Sequence, residues 1–449
     1  MLFSGDLRRL KRAASLIFYF FSIYALWSVY TAKEKTKQQK LSKGSFLLEN
    51  KHWPEPLCFE RSLNTTNPVF PQKALQFGPQ TCFDNGTAGA VVYRDTDRSS
   101  GWGNRLLGIA SAFVLSAVLE KPFYIDSECF TKAFAYGPAA APWNKSSLGN
   151  IFQRGSIRTT LSFRERDLIL QRIWPGYRRP YRELALVDPA WWFRDKRGAR
   201  ANIIFVESNQ WFVPTLFLNP HLRHFLCYHF GTDVFRTVSQ NLWVPNAIVE
   251  NVLQNFCART NSLCSDQCDG SVRVIGVHIR SEASAPRWRP YRVRGPRLDS
   301  MLRCITLAQN TLEAEFDRRL LRIFIASDSP TLLEELRKLR NAPPFLALDP
   351  ETDARHVPDE YRELVIAAAE MILLSRCTFR VLSVGSTFGM CAHASSASLY
   401  RPFVVTERGD CVQIPSRDPC QHHFYRLGNL HAFETIADFT NSRRFGCII

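Results

Sequence analysis

The chain has 449 residues, 45% of them hydrophobic and 22% charged, with no stretch of low complexity. That length supports two core-bearing domains of roughly 150–200 residues each, and the composition excludes a disordered or fibrous chain. The formal net charge of +16, from 57 Lys and Arg against 41 Asp and Glu, favours a polyanionic partner: nucleic acid, an acidic membrane or a phosphorylated ligand.

Residues 13–32 (AASLIFYFFSIYALWSVYTA) carry no charge. About 20 apolar residues span a hydrocarbon core of about 30 Å as a helix. Arg8, Arg9, Lys11 and Arg12 precede the run, which puts residues 1–12 in the cytoplasm, although the lysines between Lys33 and Lys43 leave only a small charge asymmetry. No small-x-small cleavage pattern closes the run, so it reads as an uncleaved signal anchor. Residues 33–75, Lys-rich and then Pro- and Asn-containing, read as a stem. Asn64, Asn85 and Asn144 open N-glycosylation sequons beyond the apolar run, and thirteen cysteines suit an oxidising compartment. The cluster Cys257, Cys264 and Cys268 has no histidine among it and reads as disulfide-forming before zinc-binding. A body facing a lumen meets no genome, which argues against nucleic acid; a nucleotide sugar, with two phosphates, fits the basic charge.

From about residue 76 strand-like and helix-like runs alternate. Ala90-Val-Val-Tyr93 reads as a buried strand, 101–105 as a loop, 106–119 as a packed helix and 123–125 as a second strand. In the second half, 272–279 (VRVIGVHI) is a strand ending at Arg280, 298–318 is helical, and 322–326 is a strand followed by Ser327-Asp328-Ser329-Pro330 and a helix over 331–339. Residues 363–374 form a long helix, 379–384 a strand, 386–389 a helix start, and 399–405 a last strand. The pattern predicts two α/β blocks, 76–265 and 270–420, facing one cleft, with a tail over 421–449. In open α/β sheets ligands bind at the carboxyl ends of the strands, where Arg280, Asp328 and Ser386 fall.

His278 and Arg280 share one face of their strand. A guanidinium there can hold a diphosphate and keeps its charge at any physiological pH, which suits a leaving nucleoside diphosphate. Gly101-Trp-Gly-Asn-Arg105 and Ser386-Thr-Phe-Gly389 each precede or open a helix, where backbone amides and the helix dipole favour phosphate. Phe388 can pack on a ribose or base. Asp95-Thr-Asp97 looks like a metal-holding DxD, but it sits in a polar turn before the glycine loop and reads as a turn. Glu282, two residues beyond Arg280, is preferred over Asp299 as the base that takes a proton from an acceptor hydroxyl.

The order of Gly101-Trp-Gly-Asn-Arg-Leu-Leu, His278-Ile-Arg280, Ala369-Glu370-Met371 through Ser375, and Ser386-Thr-Phe-Gly389 resembles the plant-type α-1,2-fucosyltransferases, the xyloglucan fucosyltransferase family. Phe212-Val-Pro214, Asn241-Leu-Trp243 and Asp418-Pro-Cys420 extend the resemblance over residues 76–430. It implies a GT-B fold, two Rossmann-like domains behind a single transmembrane helix, with inversion at the fucose anomeric carbon and neither metal nor cofactor. It implies GDP-fucose as donor and a glycan acceptor, with fucose placed α-1,2 on galactose; a transferase for another GDP-sugar or linkage, or a non-catalytic glycan-binding relative, is the alternative. Arg280 then holds the β-phosphate, Ser386, Thr387 and Phe388 surround the phosphates and nucleoside, and Gly101, Gly103, Asn104 and Arg105 close over the donor. His278 and Asp328 look more like the core α-1,6- and protein O-fucosyltransferases, where such residues help bind guanine. The expected setting is the Golgi membrane, as a single-pass type II protein with a luminal catalytic domain; homodimerisation stays open.

Overall fold

The computed structural model describes residues 89–96, 100–143, 158–163, 184, 188–189, 192, 203–231, 233–263, 272–280, 298–329, 333, 344–383, 385–405, 409–414 and 418–419. The expected anchor, the stem, Asn64, Asn85, Asp97, Asn144, Glu282, the tail over 421–449 and, apart from Leu333, the helix over 331–339 lie outside them. The chain divides into two units, 1–54 and 55–449, and every described residue belongs to the second. Among the described residues no helix is long and apolar enough to cross a membrane.

Thirteen strands can be numbered along the described residues. They are β1 (Ala90–Arg94), β2 (Phe123–Asp126), β3 (Phe134–Tyr136), β4 (Ala141–Pro142), β5 (Arg158–Phe163), β6 (Ile203–Ser208) and β7 (Trp243–Pro245), then β8 (Arg273–Ile279), β9 (Leu321–Ser327), β10 (Phe345–Leu346), β11 (Phe379–Ser383), β12 (Phe403–Val405) and β13 (Cys411–Gln413). The helices are α1 (Trp102–Val118), α2 (Glu128–Ala133), α3 (Val213–Leu218), α4 (Arg223–Phe230), α5 (Val234–Leu242), α6 (Ala247–Thr260), α7 (Leu298–Glu313), α8 (Pro350–Asp353), α9 (Asp359–Arg376) and α10 (Thr387–Ser395).

The first sheet has the order β4-β2-β1-β6-β5 and is parallel throughout. The second has the order β10-β9-β8-β11-β12-β13 and is parallel except for the last pair. The fold is therefore mixed α/β, with two sheets where two blocks were expected. β3 and β7 form a separate antiparallel ribbon.

Strand periodicity explains why these runs are apolar without interruption. Val91 and Tyr93 face one core while Ala90 and Val92 face another. In β8, Ile275, Val277 and Ile279 pack with Met301, Ile305 and Leu312 of α7. The even positions face the other way: Val274 lies in the core of α9 and α10, and a side chain on Gly276 would collide with Leu374 and Cys377. His278 continues that even row. α1 has fifteen of its residues buried, so it is a central helix with no solvent stripe. It packs on β1 and β6 and against α10 and α5.

The boundaries differ from the sequence reading at instructive places. The expected loop 101–105 is mostly helix, because α1 begins at Trp102. The helix from 298 ends at Glu313, and a separate 3-10 turn covers Arg318–Leu320. The last expected strand shortens to Phe403–Val405 and continues into an antiparallel partner, β13. Cys411 of β13 is disulfide-bonded to Cys304 of α7. Closing a loop of that separation contributes about 4–5 kcal/mol on the chain-entropy view. Cys227 and Cys257 each belong to a further disulfide.

α5 has no side-chain cap of its own at Asp233; instead the buried Asp418, far along the chain, accepts the Phe235 N–H at 2.9 Å. Burial pushes the Asp418 carboxyl up to about 7; the Phe235 amide opposes that and the nearby Asp233 adds to it. A carboxyl whose folded pKa is raised contributes stability below its unfolded value, and that contribution is lost as pH rises through the folded one. Asp418→Asn keeps an acceptor for the amide and removes the titration. We expect the two proteins to melt together below the ordinary carboxyl value of 3.8 and the variant to melt a few °C higher at pH 8, as read by thermal unfolding. Parallel pH profiles would contradict this account of the clasp.

Candidate active site

In the second sheet the chain leaves β8 outward through β9 to β10, then returns to β11 on the other side of β8. The connections diverge between β8 and β11, which makes the crevice at their carboxyl ends a topological switch point. The Ser383 hydroxyl closes the two strand ends together. It donates to the His278 carbonyl at 3.1 Å and accepts the Arg280 N–H at 3.0 Å. β11 then turns through Gly385, at φ 70, into α10. The left-handed value explains glycine there. Ser386 caps α10 by accepting the Gly389 N–H at 3.3 Å. The amides of Thr387 and Phe388 have no acceptor within the helix, as first-turn amides never do.

The first sheet diverges likewise between β1 and β6, and α1 starts beyond the end of β1. No side chain caps it. Its first turn meets the first turn of α10 backbone to backbone. A Cβ on Gly103 would lie 2.5 Å from the Thr387 carbonyl carbon and 2.8 Å from Phe388 Cα. The Cys391 thiol donates to the Gly103 carbonyl at 3.4 Å. Asn104 Oδ1 is buried at this joint without a hydrogen-bond partner. Two positive helix ends thus converge, and Arg280 stands exposed at the neighbouring strand end. Among the described residues no carboxylate lies in ion-pair contact with the Arg280 guanidinium. Such an arrangement can hold a polyphosphate by amides and a guanidinium together.

The His278 ring stacks on Phe388, with centroids 5.1 Å apart and planes at 26°. Burial, and secondarily the Arg280 charge, hold its pKa down at about 4, while Asp328 works in the opposite direction. His278 is therefore an uncharged ring at neutral pH, with Nδ1 buried and unpartnered. Glu370, half-buried in α9, is pushed up to about 8 by burial and then by Asp328. Its carboxyl is protonated at neutral pH. Asp328, exposed at the end of β9, acts electrostatically on both. The sequence reading placed Glu370 in a motif but gave it no role. The available signal was one carboxylate inside the apolar run 364–374.

The structure therefore brings Gly103, Asn104, His278, Arg280, Asp328, Ser386, Thr387 and Phe388 to one region. Gly101 caps α1 and is exposed. Arg105 is placed otherwise than expected. It is buried, and its Nε bonds Asp95 Oδ2 at 2.8 Å, an oxygen that also accepts from the Ser127 hydroxyl at 3.0 Å. Its charge holds the β1–α1 connection together from inside. Asp95 is likewise a buried anchor where a turn residue was expected. Asp299 is exposed in the first turn of α7. Among the described residues no three His, Cys, Asp or Glu side chains gather as for one metal ion.

No family model matches the chain, and no curated protein does. Solved structures similar to it include a mutant of Arabidopsis thaliana FUT1 in complex with GDP, at 18% identity and TM-score 0.49, covering 78% of this chain and 79% of that one. The fucosyltransferase NodZ from Bradyrhizobium is similar at 16% identity and TM-score 0.43, covering 73% and 98%. POFUT1 in complex with GDP is similar at 11% identity and TM-score 0.38, covering 69% and 95%.

The helix joint makes a paired prediction. Gly103→Ala forces backbone apart and is expected to cost about 1–3 kcal/mol, while Gly101→Ala stays below about 1 kcal/mol. A methyl on Gly101 meets nothing within 4 Å. Urea unfolding of both variants measures the difference; equal costs would contradict the close contact.

Proposed function

We propose that this protein is a GT-B fucosyltransferase, inverting and metal-independent, that transfers fucose from GDP-fucose to a glycan hydroxyl. The observation that carries the reading is the convergence of two helix N-termini beside the exposed Arg280 at a switch point. A diphosphate fits there chemically, and the order of motifs from Gly101 to Gly389 narrows the nucleotide sugar to GDP-fucose. Galactose O2 as acceptor, giving an α-1,2 linkage, rests on the sequence resemblance. So does the setting as a single-pass type II Golgi protein, with the disulfides of Cys304–Cys411, Cys227 and Cys257 supporting an oxidising lumen.

In this mechanism the acceptor oxygen attacks the fucose anomeric carbon from the face opposite GDP. The bond from that carbon to the β-phosphate oxygen breaks, and GDP leaves with the electron pair. The acceptor proton passes to a base, for which Glu282 is the sequence-based candidate. Arg280 and the first-turn amides of α1 and α10 stabilise the charge growing on the diphosphate. The uncharged His278 ring, held by Phe388, leaves the cationic role at this strand end to Arg280. Asp328, with Glu370 beside it, supplies acceptors for guanine N–H groups.

Arg280→Ala is expected to lower transfer by on the order of a thousandfold while circular dichroism stays unchanged. Activity like that of the unmodified protein in this variant would sink the assignment. The purified full chain, assayed with an acceptor array, is expected to turn over GDP-fucose in preference to GDP-mannose and to keep its rate in EDTA. Preference for GDP-mannose would replace the donor, and loss of activity in EDTA would replace the metal-free mechanism.

A further inference from the structure

Arg380 lies in β11, a strand with neighbours on both sides, and is fully buried. Burying an arginine in the middle of a sheet is costly, and its Nε and Nη1 bonds offset part of that cost. Nη1 donates to the Cys377 carbonyl at 2.7 Å and to the Ser375 carbonyl at 3.3 Å. These carbonyls close the C-terminal end of α9, where the helix dipole favours a cation. Nε donates to His393 Nδ1 at 3.1 Å. His393 is buried in the last turns of α10. One side chain thus ties the end of α9, the middle of β11 and the distal half of α10.

α10 has only nine residues. So short a helix has few side chains to fix how far it slides along its axis. His393 lies five residues from Phe388, or about 7–8 Å at the α-helical rise. We infer that the Arg380–His393 bond is a positioning pin. It sets the axial depth of α10, and with it the amides of Thr387 and Phe388 and the contact of Gly103, so that donor affinity depends on a pair that touches no ligand. This rests on the diphosphate site proposed above. The bond also fixes the ring state of His393: Nδ1 must carry the lone pair, so the ring is uncharged with its proton on Nε2.

The test uses isosteres of the two ring nitrogens. His393→Asn presents an acceptor near the place of Nδ1, whereas His393→Gln presents its polar group near Nε2. Isothermal titration of the full chain in detergent with GDP is expected to show about tenfold weaker binding for His393→Gln, the scale of one charge-assisted bond. His393→Asn is expected to bind within about threefold of the unmodified protein, at a melting temperature equal to that of the Gln variant. A generic packing role would move both variants alike, and equal affinities for the two would overturn the inference. Arg380→Lys keeps the buried charge and loses Nε; unchanged GDP affinity in that variant overturns it as well. If the unmodified protein does not bind GDP, the donor site fails but the pin is still decided by amide hydrogen exchange. Faster exchange at Gly389 in His393→Gln than in His393→Asn supports it, and equal exchange refutes it.

Discussion

Gly103 lying on the Thr387–Phe388 backbone is the contact from which the rest of the site follows. Two helices can bring their N-termini this close only where one of them lacks a Cβ. That closeness sets two sheets' worth of architecture into one arrangement. α1 is packed on β1 and β6, α10 on β11, so their contact couples the switch point of one sheet to that of the other. The Trp102 indole N–H donates to the Leu364 carbonyl of α9 at 2.7 Å, which holds α1 from a second direction. Arg380 and His393 hold α10 from its far end.

The electrostatics of the region make sense as preparation for an anion. Positive helix ends and Arg280 repel one another without a ligand, so the fold must be overdetermined to keep them together. Neighbouring titratable groups respond in the expected sense. His278, beside Arg280 and out of water, is held neutral. Glu370, beside Asp328 and half-buried, keeps its proton. Both shifts remove charge that would otherwise be buried unmatched, and Arg280 and Asp328 are exposed.

Much of this was legible because parallel strands buried on both faces are written as unbroken apolar runs. β1, β2, β8, β9 and β11 come within a residue or two of expectation for that reason. β3 and β7 are three-residue strands whose pairing partners lie far away, and β13 is an equally short edge strand beside β12; no local pattern announces them. The start of α1 was misread because two glycines in Gly101-Trp-Gly-Asn signal a turn; their reason is helix–helix approach, a tertiary fact. Arg280 was read as closing a strand, and it stands directly after β8. Arg105 was misjudged because sequence spacing does not distinguish a cation aimed at a ligand from one locked to a buried carboxylate.

That last difference bears on the proposed diphosphate site. The two switch points are built alike, each with a strand end, a turn and a helix N-terminus. In the first sheet the arginine is buried and neutralised by Asp95, with Ser127 completing the carboxylate's bonds. In the second the arginine is exposed, and its strand end is fixed through the backbone N–H to Ser383 while the guanidinium is left out of the arrangement. A fold that needed Arg280 for stability would match it as Arg105 is matched, because a paired buried cation stabilises only when its partner is present. Rigid backbone beneath a guanidinium without an ion-pair partner among the described residues is what electrostatic preorganisation requires: the charge is in place before a ligand arrives and needs little rearrangement afterwards. The asymmetry between the two crevices supports the second sheet as the place of the proposed diphosphate site.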